Sequence, residues 1–148
     1  MAILAENKKA RFEFEVLENF EAGIQLFGFE VKAVRTNKMN LEGSYVFPRK
    51  GEFWLVGARI APYQPNNTPK DYEPARERKL LLKKKEIDYL IGKAAMRGLT
   101  LLPLKVYNKG AMIKLEIAIA RRLKKHDQRE RIKEREDKRK IERTLKEI

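Results

Sequence analysis

Residues 99–120, LTLLPLKVYNKGAMIKLEIAIA, carry the clearest structural pattern in the chain. Apolar side chains alternate with others in residues 99–107 and again in residues 111–120, which is the two-residue period of a β-strand. Between the two runs, Asn108-Lys109-Gly110 places a glycine where a three-residue hairpin connection favours one. The pattern predicts an antiparallel hairpin, with Lys114 on the face that points away from the apolar side chains.

Four more strands are predicted upstream of this hairpin, at residues 11–18, 24–29, 44–47 and 52–60. Residues 11–18 alternate between apolar and charged side chains, and residues 24–29 are largely apolar. Residues 48–51, Pro-Arg-Lys-Gly, are typical of the turn in a hairpin. A short helix is expected at residues 30–35.

One long loop and one longer helix complete the predicted domain. Residues 61–74 hold four prolines and two adjacent asparagines, a composition that favours a surface loop. Apolar residues recur at helical spacing from Ile87 to Ala94, and Gly98 ends the segment, which predicts an amphipathic helix of about three turns. Together these elements favour a mainly β fold, an OB-like and partly closed antiparallel barrel of about six strands with a few helices packed outside it.

Charge divides the chain into two parts. Its 148 residues fit one domain, and 34 Lys and Arg against 21 Asp and Glu give a net charge of +13. From Arg121 onward, 13 of 28 residues are Lys or Arg and seven are Asp or Glu. We therefore predict a folded domain at residues 1–120, a basic tail at residues 121–148, and a polyanion as the partner.

The tail is predicted to be helical when ordered and largely disordered in the free protein. Acidic residues precede basic ones by four positions at Glu134 and Lys138 and at Glu142 and Lys146, and each such pair supports a helix by roughly 0.2–0.5 kcal/mol. The apolar residues of the tail form no stripe that could pack on a domain. A helix of this kind is marginal in water and is expected to order on a polyanion. The alternative is a solvated extension without a role.

The residues that catalysis or metal binding requires are scarce. The chain has one histidine, His126 in the tail, and no cysteine, so neither a nucleophilic triad nor a zinc site is expected. We expect no enzymatic activity, no cofactor and no metal ion. No run of about 20 apolar residues is present, and residues 1–10 lack the apolar core of a signal peptide. A cytoplasmic protein that does not bind membranes is therefore expected.

Basic residues also cluster at two places within the predicted domain. The clusters are Lys8, Lys9 and Arg11 before the first predicted strand, and Arg76, Arg78, Lys79, Lys83, Lys84 and Lys85 after the proline-rich loop. Such clusters neutralise phosphates. Charge alone does not distinguish RNA from DNA.

An ordered series of short strings extends along nearly the whole chain. The series is Asn7-Lys8-Lys9-Ala10-Arg11, Glu21-Ala22-Gly23-Ile24, Gly28-Phe29-Glu30-Val31-Lys32 with Arg35, Ile60-Ala61-Pro62-Tyr63, residues 76–82, Glu86-Ile87-Asp88, and Ile132-Lys133-Glu134-Arg135. In this order the strings resemble the SsrA-binding protein family, the bacterial partners of transfer-messenger RNA. The resemblance implies an OB-like barrel that binds the tRNA-like domain of this RNA. It also implies delivery of that RNA to ribosomes stalled on messages without a stop codon, the process called trans-translation.

The resemblance carries RNA-binding residues over to Asn7, Glu21, Leu81 and Lys114, although plain core packing is an equal alternative for Leu81. With Arg35 and the basic clusters included, the predicted contacts to transfer-messenger RNA are Asn7, Lys8, Lys9, Arg11, Glu21, Arg35, Arg76, Arg78, Lys79, Leu81 and Lys114.

The family's tail enters the empty messenger channel of the ribosome as a helix, and the resemblance implies the same role here. The predicted ribosome-binding residues are Lys124, Lys125, His126, Asp127, Gln128, Arg129, Ile132, Lys133, Glu134 and Arg135. The expected partners are transfer-messenger RNA and the ribosomal RNA of the small-subunit decoding region, bound by a monomer. A structural ribosomal or ribosome-assembly protein that binds ribosomal RNA is the alternative, and an enzyme is a remote third possibility.

Overall fold

The computed structural model describes residues 2–147, apart from the side chains of His126 and Glu147. The strands of this part of the chain are β1 (Ile3–Glu6), β2 (Phe14–Ile24), β3 (Met39–Asn40), β4 (Tyr45–Arg49), β5 (Glu52–Val56), β6 (Arg59–Ile60), β7 (Arg78–Leu81), β8 (Leu99–Lys109) and β9 (Met112–Arg122). The helices are α1 (Lys8–Glu13), α2 (Gly28–Arg35), α3 (Lys84–Ala94) and α4 (Lys125–Glu147).

Seven of these strands form one antiparallel sheet in the order β1-β8-β9-β2-β7-β5-β4, and β3 pairs with β6. The mainly β, OB-like fold with peripheral helices is thus confirmed. The sheet has more strands than the predicted six. Within residues 2–147 it is not closed through hydrogen bonds, because β1 and β4 remain its two edges.

The core lies on the inner face of this curved sheet. Along β9, every second residue from Ile113 to Ile119 is buried, as the alternation predicted. Two helices cover the core with small or branched side chains, since Val34 of α2 and Leu90 of α3 are fully buried. Burial of such side chains is the main favourable contribution to folding.

The predicted hairpin of β8 and β9 is confirmed, but its turn is shorter than expected. Lys109 pairs with Met112, so the connection is Gly110-Ala111 rather than Asn108-Lys109-Gly110. Gly110 has a positive φ of 61°, which a two-residue turn between twisted strands requires. This register places Tyr107 directly opposite Lys114.

The prediction of a strand at residues 11–18 was wrong in its first part. Residues 8–13 form α1, because the Oδ1 atom of Asn7 accepts a hydrogen bond from the Ala10 N–H at 3.3 Å and caps the helix. The Nδ2 atom of Asn7 donates to the Pro103 carbonyl at 3.0 Å and ties this cap to β8. The strand begins only at Phe14.

The second predicted strand, at residues 24–29, was also wrong. Strand β2 ends at Ile24, and α2 starts at Gly28, before the predicted short helix. The side chain of Glu30 accepts a hydrogen bond from the backbone N–H of Phe27 at 2.9 Å, which fixes the start of the helix. Strands β1 and β7 were not predicted.

The remaining predictions hold in part. Residues 52–60, predicted as one strand, form β5 and β6 in different sheets, and β3 was not predicted. The turn predicted at residues 48–51 is only Lys50-Gly51, because Arg49 pairs with Glu52. Strands β4 and β5 form the expected hairpin, residues 61–74 form a loop with one 3-10 turn at Pro65–Asn67, and α3 covers the periodic segment. Beyond β9, the backbone N–H of Leu123 donates to the Glu13 carbonyl at 2.8 Å, and α4 follows. The division at residue 120 and the disorder of the free tail remain predictions.

Candidate nucleic-acid interface

Four neighbouring strands place Leu81, Gly23, Lys114 and Tyr107 in one transverse row. Gly23 of β2 pairs with Leu81 of β7 on one side and with Lys114 of β9 on the other. Lys114 in turn pairs with Tyr107 of β8. Directly paired residues share a face of the sheet, and the buried Leu115 places the core on the opposite face. The row therefore crosses the outer face of the sheet, and we call its surroundings the outer face.

A polar group borders this row at Glu21, two residues before Gly23 on the same strand. The Glu21 carboxylate accepts a hydrogen bond from the Tyr107 hydroxyl at 2.5 Å and from the Lys109 Nζ atom at 3.0 Å. These hydrogen bonds, with the nearby charges of Lys109 and Lys114, lower the pKa of Glu21. Burial and the hydrogen bond to Glu21 raise the pKa of Tyr107. Glu21 is therefore an ionised acceptor and Tyr107 a neutral donor at neutral pH.

Leu81 is not a core residue, because its side chain is 52% exposed. The neighbouring Gly23 allows this placement. A Cβ atom at position 23 would lie 3.2 Å from the Leu81 Cβ atom, closer than side chains normally pack. The outer face thus combines an exposed apolar side chain, a carboxylate and a lysine on adjacent strands.

Helix α1 carries the N-terminal basic cluster. Lys8, Lys9 and Arg11 are exposed, and Arg11 pairs with Glu6 at 3.4 Å. Asn7, in contrast, is buried and both ends of its amide are used within the protein, as cap and as donor to β8. Asn7 therefore positions α1 against β8.

Arg35 lies at the end of α2 and contacts the turn between β8 and β9. Its Nη2 atom donates to the Ala111 carbonyl at 2.9 Å. The contact brings a second cation close to Lys109 and so to the edge of the outer face. Arg35 is exposed and retains donors that this hydrogen bond does not use.

The second basic cluster divides between the interior and the surface. Arg78 is fully buried, and its guanidinium donates to Glu30 at 2.6 Å and to the carbonyls of Ala58 and Pro74 at 2.8 and 2.9 Å. It is therefore not available to a nucleic acid. Arg76 also pairs with Glu30, with its guanidinium 4.1 Å from the Phe27 ring centroid, but it remains partly exposed.

Glu30 is the centre of this buried network. Burial favours the neutral acid, but hydrogen bonds from Arg76, the Phe27 N–H and Arg78 outweigh that effect and hold the pKa of Glu30 below its usual value. The hydroxyl of Tyr72 also donates to Glu30, at 3.0 Å. The network ties the long loop to α2 and β7. Lys79, next along β7, pairs with Glu52 at 3.8 Å on the surface.

The first half of α4 contacts the folded domain. The Nη1 atom of Arg131 donates to the carbonyls of Arg11 and Phe14 at 2.9 and 3.1 Å. The guanidinium of Arg135 lies 4.8 Å from the Phe12 ring centroid. These contacts to α1 and to the first residue of β2 were not expected from the absence of an apolar stripe.

The predicted ribosome-binding residues lie on both sides of Arg131, from Lys124, just before α4, to Arg135. The exposed ones are Lys124, Lys125, Asp127, Arg129, Ile132, Lys133, Glu134 and Arg135. The Nε2 atom of Gln128 donates to the Leu123 carbonyl at 3.1 Å, so this side chain holds the start of the helix. The side chain of His126 lies outside the described residues.

Several residues of the site were missed from the sequence. Tyr107 and Lys109 donate hydrogen bonds to Glu21, which lies more than 80 positions away in the sequence. Only the register of the hairpin could have revealed these contacts. Gly23 was noted within a matching string but not as the neighbour that accommodates Leu81. The pairing of Glu30 with Arg76 and Arg78 joins α2 to β7 and has no local signal.

An OB-like sheet with an acceptor, an apolar side chain and cations on its outer face, in a chain of net charge +13, is typical of a nucleic-acid-binding β protein. The family described as "SmpB protein" matches residues 4–147. The chain belongs to this family.

Curated relatives and a solved structure agree with this assignment. A protein named SsrA-binding protein from Trichormus variabilis is 48% identical over 144 residues, covering 97% of this chain and 93% of the relative. The SsrA-binding protein of Thermosynechococcus vestitus is 45% identical, covering 97% and 95%. A solved chain described under "tmRNA-SmpB: a journey to the center of the bacterial ribosome" is 39% identical with a TM-score of 0.68, covering 88% of this chain and 95% of that one.

Within residues 2–147, no helix combines the length and the apolar character needed to cross a bilayer.

Proposed function

We propose that this chain is the RNA-binding factor of trans-translation that holds the tRNA-like domain of transfer-messenger RNA and helps deliver it to stalled ribosomes. Family membership and the names of the relatives support this assignment. The observation that carries it is the outer face, where Glu21, Leu81 and Lys114 come together from three different strands. Such a surface can contact ribose and bases as well as phosphates.

Each group on the outer face suits a different part of an RNA. An ionised carboxylate only accepts hydrogen bonds, so Glu21 can bind a ribose 2′-hydroxyl or a base N–H and repels phosphate. Lys114 supplies a cation for the phosphate backbone. The exposed Leu81 supplies apolar contact to a base or sugar. This combination favours a folded RNA whose hydroxyls, bases and phosphates match the positions of Glu21, Leu81 and Lys114. A polyanion without those groups would bind less well.

Cations around the outer face add binding energy without sequence preference. The proposed phosphate contacts are Lys8, Lys9, Arg11, Arg35, Arg76 and Lys79. Asn7 and Arg78 support this surface from within, because one caps α1 and the other holds the long loop against β7. Their replacement would weaken RNA binding through the fold.

The tail is proposed to bind a second RNA, the ribosomal RNA of the small-subunit decoding region, and to occupy the empty messenger channel. Its exposed cations, with Asp127 and Ile132, belong to a segment whose helix, α4, contacts the domain at α1 and at the start of β2. In this proposal a single copy of the chain holds both RNAs, one at the outer face and one along the tail. We propose a monomer that acts in the cytoplasm, where ribosomes work, and that binds without catalysing a reaction.

The outer face can be tested by replacing Lys114 with alanine and measuring affinity for the tRNA-like domain at several salt concentrations. Affinity should fall by about fivefold or more. The negative slope of log affinity against log salt should become shallower by about one. The matched control is Lys70→Ala, an exposed lysine in the loop outside the sheet. Equal effects of the two changes would mean that the outer face is not the RNA site.

A tail truncation separates the two proposed RNA contacts. The truncated chain should end at Lys124, because Arg122 still belongs to β9 and the Leu123 N–H bonds Glu13. This chain should bind the tRNA-like domain as the full chain does but fail to support peptide tagging on stalled ribosomes. Uniform binding to all ribosomes, stalled or translating, would instead indicate a structural ribosomal protein.

A further inference from the structure

A second surface stands out at the opposite end of the sheet, on the hairpin of β4 and β5. Tyr45 and Phe47 of β4 are 45% and 50% exposed, and their rings meet edge to face with centroids 6.5 Å apart. Phe47 pairs directly with Trp54 of β5. The guanidinium of Arg49 lies 4.6 Å from the Trp54 ring centroid. We call these four side chains the aromatic platform.

The platform is held in place by its own strands and neighbours. The indole Nε1 atom of Trp54 donates to the Arg49 carbonyl at 3.4 Å. Arg49 also pairs with Glu77 at 2.5 Å, which keeps its guanidinium over the ring. Rings that are already ordered lose little conformational freedom when a ligand binds them. Three exposed or half-exposed aromatic rings on one hairpin are costly to leave in water without a partner.

The platform continues into the outer face along β7. Trp54 pairs with Lys79, and two residues further along β7 Leu81 pairs with Gly23. Lys79 and Leu81 point to the same side of the strand, because the residue between them, Leu80, is fully buried. A chain lying across the outer face therefore reaches the platform without leaving the protein surface.

We propose that the aromatic platform binds unpaired RNA bases by stacking, next to the folded RNA that the outer face holds. The proposal rests on the proposed function, since it assigns a second contact to the same bound RNA. Stacking fits the residues: the rings offer flat faces, Arg49 adds a cation, and Lys50 in the exposed turn can neutralise a phosphate. Every base has such a face, so binding here is tolerant of sequence.

Charge favours RNA over a protein partner at this surface. The platform lies in a chain of net charge +13 and borders the exposed Lys50 and the half-buried Lys79, which pairs with Glu52. A protein docking on exposed aromatic rings would bury these lysines as well, whereas a phosphate backbone is attracted by them. The two acids nearby, Glu52 and Glu77, are already paired with Lys79 and Arg49.

The protein contains its own reporter for this contact, because Trp54 is the single tryptophan of the chain. The full-length protein is titrated with single-stranded oligouridylate of about ten nucleotides, and separately with a blunt RNA duplex of the same length, while tryptophan fluorescence is followed. Single-stranded RNA should quench the fluorescence and the duplex should not. Quenching by both to the same extent would overturn the proposal.

Matched variants assign the quenching to the platform. Phe47→Leu keeps an apolar side chain but removes a ring, and should weaken single-strand binding by about fivefold or more. Tyr89→Leu removes a similarly exposed ring from α3, outside the platform, and should leave single-strand binding unchanged. Lys114→Ala should weaken binding of the tRNA-like domain while the short oligonucleotide still quenches Trp54.

The outcomes distinguish this proposal from the function on which it rests. Normal binding of the tRNA-like domain without any quenching by single strands would overturn the platform and leave the proposed function standing. Fluorescence that changes with protein concentration in the absence of RNA would mean that a second copy covers the rings, and would also overturn it. Failure of the parent chain to bind the tRNA-like domain would instead overturn the proposed function.

Discussion

Replacing Glu30 with glutamine should destabilise the whole domain, although the side chain keeps its size. Glu30 is fully buried, and it is the acidic partner of both Arg76 and the fully buried Arg78. The change would leave the Arg78 guanidinium without a counter-ion in the protein interior, which costs about 3–5 kcal/mol. Arg76 is partly exposed and can be solvated, so the loss of its partner adds little to the destabilisation. A loss of this size is a large fraction of the stability of a typical domain.

Thermal and denaturant unfolding followed by circular dichroism would measure this loss. For a chain of this size the midpoint should fall by roughly 10 °C. The matched control is Glu77→Gln, which removes one member of a surface pair with Arg49, where both side chains are about half exposed, and should cost less than about 1 kcal/mol. Equal losses in the two variants would refute the role assigned to the buried charge.

A double variant and the pH dependence sharpen the same test. Adding Arg78→Met to Glu30→Gln removes the orphaned charge and should restore part of the stability, although the carbonyls of Ala58 and Pro74 then lose their donor. Because the pKa of Glu30 is lowered on folding, its stabilising effect is present above the ordinary carboxyl pKa and is lost as the pH falls through the folded value. The difference in free energy of unfolding between the parent and Glu30→Gln should therefore become smaller at acidic pH.

Two further changes test the site and the tail. Tyr107→Phe removes the hydroxyl that donates to Glu21, so the pKa of Glu21 should rise toward its usual value and RNA affinity should begin to fall at a higher pH on acidification. Carboxyl NMR titration would measure the pKa, and binding assays at several pH values would measure the affinity. An unchanged pKa of Glu21 would contradict the role assigned to the Tyr107 hydroxyl. Arg131→Ala removes one hydrogen bond from α4 to α1 and one to the first residue of β2, so amide exchange at the start of α4 should become roughly tenfold faster. Arg139→Ala, at an exposed position, should leave the exchange rate unchanged. Equal exchange rates in the two variants would mean that Arg131 does not hold the tail.

The parts of the fold that were predicted correctly have local causes. The alternation in β8 and β9 and the 3.6-residue period of α3 follow from side chains a few positions apart. Helix α1 was missed because Phe12 and Phe14 imitate the alternation of a strand, while the deciding interaction is the Asn7 cap, which is anchored to Pro103. Strand β7 was missed because its cations suggest a surface, whereas Arg78 is buried by a partner 48 positions away.

The candidate site shows the same limit. Resemblance identified Glu21, Leu81 and Lys114 one by one, but their adjacency depends on the pairing of β2 with both β7 and β9. Tyr107 and Lys109 could not be assigned to Glu21 because the predicted turn was one residue too long. Contacts made through sheet register are set by the whole topology, so no local pattern reports them.

Strand β9 connects the two proposed RNA contacts, since Lys114 lies within it and Arg122 ends it just before the tail. The eight residue-to-residue steps of extended chain from Lys114 to Arg122 span about 27 Å. Pairing with β2 and β8 along this length makes the strand rigid, so its two ends stay at a fixed distance. The protein thus sets a spacing between its two proposed RNA contacts, and a one-residue insertion in β9 would change that spacing and also turn the side chains on one side of the insertion to the other face of the sheet.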